Sequence, residues 1–317
     1  MQKQRELQGV LITNAFLRTE KFVEHYDWLK KAAERHQIAL SLLENTDLLY
    51  CIGNEQRENR IRQIADTYDF VLYWDKDIEQ GMVLDTLCRE KNVRIFNPVQ
   101  AIGTCDNKWE TYRKLWEWNR VCKKEEQIPL LPTMVAPMTY ENIGYRNLDF
   151  AEDVIEQLGL PLVIKECYGS FGMQVYLANS RQEVLKYTKK LGGKPFIYQK
   201  YLAKSKGRDV RLQVVGNEVV AAMERFSENG DFRANITNGG SMKKYAPSDT
   251  ECEIAVRTTK VLGLDFAGVD MLFSDGADKT ADVVCEVNSN AHFRNIENCT
   301  GVNVADAIMD YIYGQLI

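Results

Sequence analysis

Three oxygen-bearing side chains in the last fifth of the sequence have the types and spacing to hold a hard cation. Glu286 and Asn288 stand two apart in the run Val283-Val284-Cys285-Glu286-Val287-Asn288, so on a strand they share one face. Asp270 lies near the end of the earlier apolar run 266–273, and pairing of the two runs would bring it to the same face. Two carboxylates and an amide oxygen, with no sulfur or imidazole, suit Mg²⁺, with Mn²⁺ as a substitute. The competing reading is the solvent face of an edge strand, where acids and Asn are common.

A second polar face precedes it. Asp209, Arg211 and Gln213 alternate with Val210, Leu212 and Val214, which puts an acid, a guanidinium and an amide on one side of a strand. Arg225, Arg233 and Asn235 follow, and arginine offers a bidentate fork for phosphate or carboxylate. Further upstream, Lys165 ends an apolar run and precedes the turn Gly169-Ser170-Phe171-Gly172. Glycines there let backbone N–H groups approach a phosphate. Neither a P-loop nor a dinucleotide fingerprint is present, and no Ser or Cys stands in an activating motif.

The elements that must position these groups fall into three parts, expected at 1–100, 101–202 and 203–317. The first reads as a parallel α/β unit, with strands at 10–13, 70–74 and 93–96 separated by helical stretches at 20–36 and 81–91. Asn97-Pro98 closes it at a turn. A helix is expected to open at Asp106 as its N-cap, with Trp109, Tyr112, Leu115 and Trp116 forming a core-facing stripe. The middle part reads as α+β. It has a helix at 150–158 stopped by Gly159, strands at 161–165, 174–177 and 196–202, and a capping box of Ser180 with Glu183. The last part changes to hairpins. Strands 209–215 and 219–226 flank Gly216-Asn217, Ser248 and Glu251 cap a helix ending at Gly263, and strands 266–273 and 283–288 precede a helix at 304–313.

Composition narrows the classes of partner. With 45 acidic against 40 basic residues the net charge is −5, so no basic field invites nucleic acid. No apolar run approaches the ~20 residues that span a bilayer, and the first eight residues lack the apolar segment of a signal peptide. Eight scattered cysteines without a C-x-x-C pair, and only three histidines, argue against zinc and for reduced thiols in a cytoplasmic protein.

In this order the motifs resemble those of the ATP-grasp superfamily, in its RimK-like branch of carboxylate–amine ligases typified by the glutamate ligase of a ribosomal protein. The resemblance runs through Cys105-Asp106-Asn107-Lys108, Leu162 to Lys165, the 169–172 turn and Gln199-Lys200-Tyr201-Leu202. It continues through Gly207 to Arg211, Val219 to Arg225, Gly230 to Asn235, Gly268-Val269-Asp270 and Glu286-Val287-Asn288. That is about the last two-thirds of the chain; the first hundred residues match only as the family's usual α/β pre-domain.

The resemblance implies an ATP-grasp fold with a parallel-sheet pre-domain, a small central α+β lobe and a C-terminal antiparallel lobe. It implies ATP and Mg²⁺, two ions held by Asp270, Glu286 and Asn288. Lys108, Lys165, Gly169, Ser170 and Gly172 would meet the phosphates, and the backbone of Gln199, Lys200, Tyr201 and Leu202 the adenine. Lys200 replaces a common Glu, at a main-chain contact. Asp209 would touch the ribose, Arg233 and Asn235 the triphosphate and reacting carboxylate, and Arg211 and Arg225 the oxyanion. The substrates would be a carboxylate, small-molecule or peptide, and an amine, glutamate among the candidates, and the assembly a homodimer or homotetramer. The alternatives are a peptide-modifying ligase and a non-catalytic nucleotide sensor or scaffold. Asp270→Ala and Glu286→Ala are both expected to abolish turnover with the fold intact. One departure stands out: Ser289-Asn290-Ala291-His292-Phe293 replaces the branch's small residue and Pro-Gly turn. His292 reads as a packed loop residue, with substrate binding or proton transfer as the alternative.

Overall fold

The computed structural model describes residues 6–169, 172–234, 239–274 and 282–317, without the side chain of residue 21. The N-terminal lobe runs β1 (Leu7–Thr13), α1 (Glu20–Arg35), β2 (Ile38–Glu44), α2 (Glu55–Thr67), β3 (Phe70–Tyr73), α3 (Ile78–Glu90) and β4 (Arg94–Phe96). Its four strands are parallel in the order β2-β1-β3-β4. Val10, Leu11 and Ile12 are fully buried, as continuous apolar runs are when helices cover both sheet faces. The sequence reading missed β2; it is an edge strand, mostly half-exposed, and lacks a sustained apolar run. From β1 the chain crosses to β2 on one side, whereas β3 pairs on the other, so the winding reverses between β1 and β3. That reversal opens a crevice at the carboxyl ends of the strands.

Two helices follow where one was expected, α4 (Val99–Asp106) and α5 (Lys108–Asn119). The cap of α5 is Asn107, not Asp106: its Oδ1 accepts from the backbone N–H of Trp109 and Glu110 at 3.0 and 3.2 Å. Asp106 instead ends α4 and is ion-paired with Lys76. Of the aromatic stripe, Tyr112 and Leu115 are core, while Trp116 is exposed beneath Arg120.

The central lobe comprises β5 (Thr133–Val135), α6 (Phe150–Leu158), β6 (Leu162–Glu166), β7 (Val175–Ala178), α7 (Arg181–Leu191) and β8 (Phe196–Lys200). The antiparallel sheet, ordered β5-β8-β6-β7, has its own core around Val154, Ile164, Phe196 and Tyr198. Gly159 ends α6 with φ +75°. At α7 the expected capping box is half made. Ser180 accepts from Glu183 N–H, but the Glu183 carboxylate takes the N–H of Asn179, one residue earlier.

The C-terminal lobe holds β9 (Arg208–Val215), β10 (Glu218–Ser227), β11 (Gly240–Lys244), α8 (Asp249–Leu262), β12 (Phe266–Leu272), β13 (Val283–Asn288), α9 (Arg294–Thr300) and α10 (Val304–Leu316). Its antiparallel sheet is ordered β11-β10-β9-β12-β13. Ser248 and Glu251 form the full reciprocal box, and Gly263 closes α8 in the left-handed region. The face of β9 carrying Val210, Leu212 and Val214 shares a core with Ile254, Ala255 and Leu262 of α8. Ala101, Cys105 and Leu115 join this core, so α4 and α5 pack on the C-terminal lobe.

N- and C-terminal lobes share a core as well, in which Leu29, Phe70 and Phe96 meet Ile296, Ile308 and Ile312. Asn97, fully buried at the expected turn, fastens the two. Its Oδ1 accepts from the N–H of Asp265 and Phe266, and its Nδ2 donates to the carbonyls of Phe266 and Ser289, all within 3.1 Å. Asn97→Ala leaves four buried backbone groups without partners. It should lower the unfolding free energy by about 3 kcal/mol, measured by urea denaturation, with an unchanged slope.

Candidate active site

A cleft of about 680 Å³ lies between the central sheet, the C-terminal sheet and the carboxyl ends of β1 and β3. Every expected site residue that the structure describes borders it. Ser170 and Asn235 lie outside the described residues. Gln213, from the same alternating face as Asp209 and Arg211, is buried away from the cleft.

Strand alternation and register build the floor. Asp270 on β12 sits opposite Arg211 on β9 and Glu286 on β13, while Arg225 on β10 sits opposite Asp209 on β9. Arg211 donates to both oxygens of Asp270 at 2.6 and 2.7 Å, and Arg225 to both oxygens of Asp209 at 2.7 and 2.8 Å. A further contact, Arg225 Nη2 to Asp270 Oδ2 at 2.9 Å, joins the pairs into one neutral cluster of four charges. Asp270 is 4 % exposed. Burial pushes its carboxyl up, but Arg211 and Arg225 together outweigh that and hold it below the usual carboxylate range. For Asp209 burial wins over Arg225, and the carboxyl is raised. The Arg225 guanidinium is held more firmly protonated than usual: burial works against the charge, and Asp209 and Asp270 overcome it.

Gly268, read from the sequence only as part of the motif with Asp270, makes room for this arrangement. A Cβ there would lie 2.7 Å from Ala291 Cβ and 3.4 Å from Arg211 Cδ. A bulge after Asp270 shifts the pairing with β13, so that both Cys285 and Glu286, adjacent in sequence, reach the cleft.

The lysines close the opposite wall. Lys108 Nζ donates to the Gly169 carbonyl at 2.8 Å and lies 3.5 Å from Glu286 Oε1. Lys165 Nζ donates to Gln199 Oε1 at 2.7 Å and lies 3.6 Å from Cys285 Sγ. Burial raises the Cys285 thiol pKa against the pull of Lys165, so this cysteine is no ready nucleophile. Lys200 ends β8, and Tyr201 and Leu202 carry the chain along the cleft into the C-terminal lobe. Gly172, at φ +70°, takes a hydrogen bond on its carbonyl from Arg233 Nη1 at 2.8 Å, linking the glycine turn to the large lobe. Arg233 is itself oriented by Asp231.

The loop after β13 packs on the N-terminal lobe. Phe293 is buried in the shared core, and His25 Nε2 accepts from the N–H of Phe293 and Arg294. His292 stacks edge-on against His25 and Phe22 with ring centroids 4.5 and 4.7 Å apart, as expected of a packed residue, and also borders the cleft.

The donors suit a hard cation. Asp270 and Glu286 are register partners, and the Asn288 amide reaches Asp270 at 3.4 Å. Among the described residues no three His, Cys, Asp or Glu gather as a metal cluster, in keeping with a third donor that is an amide. Glu286 is accessible, its side chain 35 % exposed. Both oxygens of Asp270 are engaged by arginine, so a metal ion there would share or displace a guanidinium.

A sequence model described as the RimK-like ATP-grasp domain matches residues 136–312. The probable alpha-L-glutamate ligase of Klebsiella pneumoniae (strain 342) is 39% identical over 170 residues, 53% of this chain and 55% of that protein. Human N-acetylaspartylglutamate synthase A is 30% identical over 224 residues, 70% of this chain and 53% of that one. The chain thus spans about half the length of the curated relatives it matches. Among solved structures, the ATP-grasp ligase PsnB complexed with minimal precursor, Mg and ADP superimposes with a TM-score of 0.68. That match covers 98% of this chain and 97% of PsnB at 15% identity, a likeness of fold. Among the described residues no helix is long and apolar enough to cross a membrane.

Asp270 and Glu286 should differ as targets for mutation, contrary to the sequence-based expectation that either leaves the fold intact. Asp270→Ala strands two buried guanidiniums with one carboxylate and should cost about 3–5 kcal/mol of stability. Glu286→Ala, at a half-exposed position, should cost less than about 1 kcal/mol. Chemical denaturation of the two variants at neutral pH measures the contrast.

Proposed function

The chain belongs to the RimK-like ATP-grasp family, and from that premise we propose that it is an ATP-dependent carboxylate–amine ligase working through an acyl phosphate. The observation that carries this reading is the meeting of Lys108 and Lys165 with Asp270, Glu286 and Asn288 on facing walls of one cleft. In the proposed reaction the substrate carboxylate attacks the γ-phosphate of ATP and ADP leaves. The amine nitrogen then attacks the acyl carbon, forming the amide and releasing phosphate and a proton.

Lys108 and Lys165 hold the polyphosphate, and the main chain of Gln199, Lys200, Tyr201 and Leu202 lies along the adenine. Asp209 faces the ribose and keeps Arg225 in place. Arg233, with Asn235, steadies the transferred phosphoryl group, and Arg211 and Arg225 stabilise the oxyanion that develops at the acyl carbon. Gly169 and Gly172, which border the cleft, lie beside the phosphates and help exclude water from a hydrolysable intermediate. When bound, Mg²⁺ would be held by Asp270, Glu286 and Asn288 and would supply positive charge at the phosphate oxygens. No covalent enzyme intermediate is required, in keeping with the raised Cys285 thiol. Retention of all three oxygen donors speaks against a sensor that has lost the reaction.

The test is a screen of carboxylates with hydroxylamine, a small acceptor that traps acyl phosphates as hydroxamates, followed by amine-dependent ADP release and mass spectrometry of the product. A carboxylate-dependent hydroxamate is expected from the wild type. Glu286→Gln should lower kcat at least a hundredfold, and Arg211→Met by about 10²–10³. ADP release that needs neither carboxylate nor amine would remove the ligase reading.

A further inference from the structure

Lys108, Lys165 and the charge cluster line the cleft from α5, the central sheet and the C-terminal sheet; the end lined by the N-terminal lobe has different chemistry. It lies where the winding reverses between β1 and β3, the crevice in which parallel α/β sheets bind ligands. Asn14 directly follows β1, and Trp74 and Asp75 directly follow β3, and all three border the cleft.

Asp75 is 5 % exposed. Its carboxylate accepts from Asn14 Nδ2 at 3.1 and 3.3 Å and from the N–H of Lys76 at 2.7 Å. Among the described side chains no cation pairs with it. Lys76 turns its ammonium to Asp106, and Arg18, which also acts on nearby Tyr26, is ion-paired with Glu44. A carboxylate so deeply buried without a counter-charge is costly to the fold. Burial accordingly raises its pKa, with the Asn14 hydrogen bond opposing. The departing loop braces the spot, Asn290 Nδ2 donating to the carbonyls of Tyr73 and Asp75 at 3.4 and 3.3 Å.

Around Asp75 the wall is apolar and aromatic, with Phe22, Tyr26, Trp74 and Met223. The other polar groups at this end are the amides Asn14, Asn290 and Asn295 and the ring of His292, with Lys76 held by Asp106, and Asp77 by Asn45 and Gln80. Arg208, Arg211 and Arg225, the arginines that border the cleft from β9 and β10, are committed to Glu224, Asp209 and Asp270. A substrate bearing carboxylates next to its amino group would therefore face two acids, and among the described side chains the cation at this end, Lys76, is already paired with Asp106.

We propose that this end is the amine subsite and that it takes an aromatic or apolar amine, which docks on Asp75 as its ammonium and attacks as the free amine once a proton has left to solvent, in preference to an acidic amino acid. The assignment rests on the ligase reading above. It separates this chain from relatives whose names specify glutamate.

Tyramine and L-glutamate serve as probes, their binding to the full chain measured by isothermal titration calorimetry at neutral pH. Tyramine is expected to bind at least tenfold more tightly than L-glutamate, and Asp75→Asn to weaken tyramine at least tenfold. Phe22→Ala should weaken tyramine several-fold while leaving methylamine unchanged. A carboxylic acid whose folded pKa is raised loses stability once pH climbs above its unfolded value of about 4. Asp75→Asn should therefore melt no lower than wild type at neutral pH.

Tighter binding of L-glutamate, or tyramine affinity within twofold of wild type in Asp75→Asn, overturns the proposal. So does a lower melting temperature, which would mean that the carboxylate serves the fold. Hydroxamate formation by the wild type reads the ligase activity separately. A wild type that forms no hydroxamate from any carboxylate overturns the ligase reading and the amine assignment with it, whatever tyramine does.

Discussion

Four buried charges on the C-terminal sheet, Arg211, Arg225, Asp209 and Asp270, constrain everything built around them. Each would be expensive alone in a dry interior, and they are tolerable because they neutralise one another through paired, nearly ideal hydrogen bonds. That pairing demands a register among β10, β9 and β12 in which one side chain from each strand meets the next. Strand alternation then assigns Val210, Leu212 and Val214 to the opposite face, where α8 covers them. A slip of one residue would bury charges under α8 and turn valines toward the cleft. The polar site and the apolar core thus enforce a single register.

The same cluster explains two smaller features. Gly268 is short of a side chain because Arg211 and Ala291 occupy the space a Cβ would need. The bulge after Asp270 lets Cys285 and Glu286 both reach the cleft, which strict alternation forbids. The lysines come from elsewhere: Lys108 from the start of α5 and Lys165 from β6 of the central lobe, which has a core of its own. A cleft whose walls belong to separate cores can open and close by moving one against the other, with little repacking inside either.

Most of the C-terminal lobe was legible in the sequence because its signals are local. Gly216-Asn217 marks a hairpin, Ser248 with Glu251 a helix start, and the alternation at 209–215 a two-faced strand, and each stands as read. The convergence of Asp270, Glu286 and Asn288 was inferable from spacing and an assumed strand pairing. Other features depend on partners distant in the chain. Asn107 rather than Asp106 caps α5 because Lys76 engages Asp106. Edge strand β2 carries too little burial to leave a pattern. Asp75 reads as an ordinary acid after a strand; only the fold shows it buried, with no described side chain paired to it as a cation, at the point where the winding reverses. Asn97 looked like a turn residue and is instead a four-bond fastening between lobes.

The core shared by α1 and α10 bears on how the polypeptide comes off the ribosome. Translation delivers α1 before α10, and its own sheet covers only part of the greasy side of that helix; the rest has no cover until α10 has been made. The N-terminal lobe must therefore wait, partly uncovered, for the C-terminal one. Meanwhile the central lobe, whose core draws only on nearby segments, can finish ahead of it.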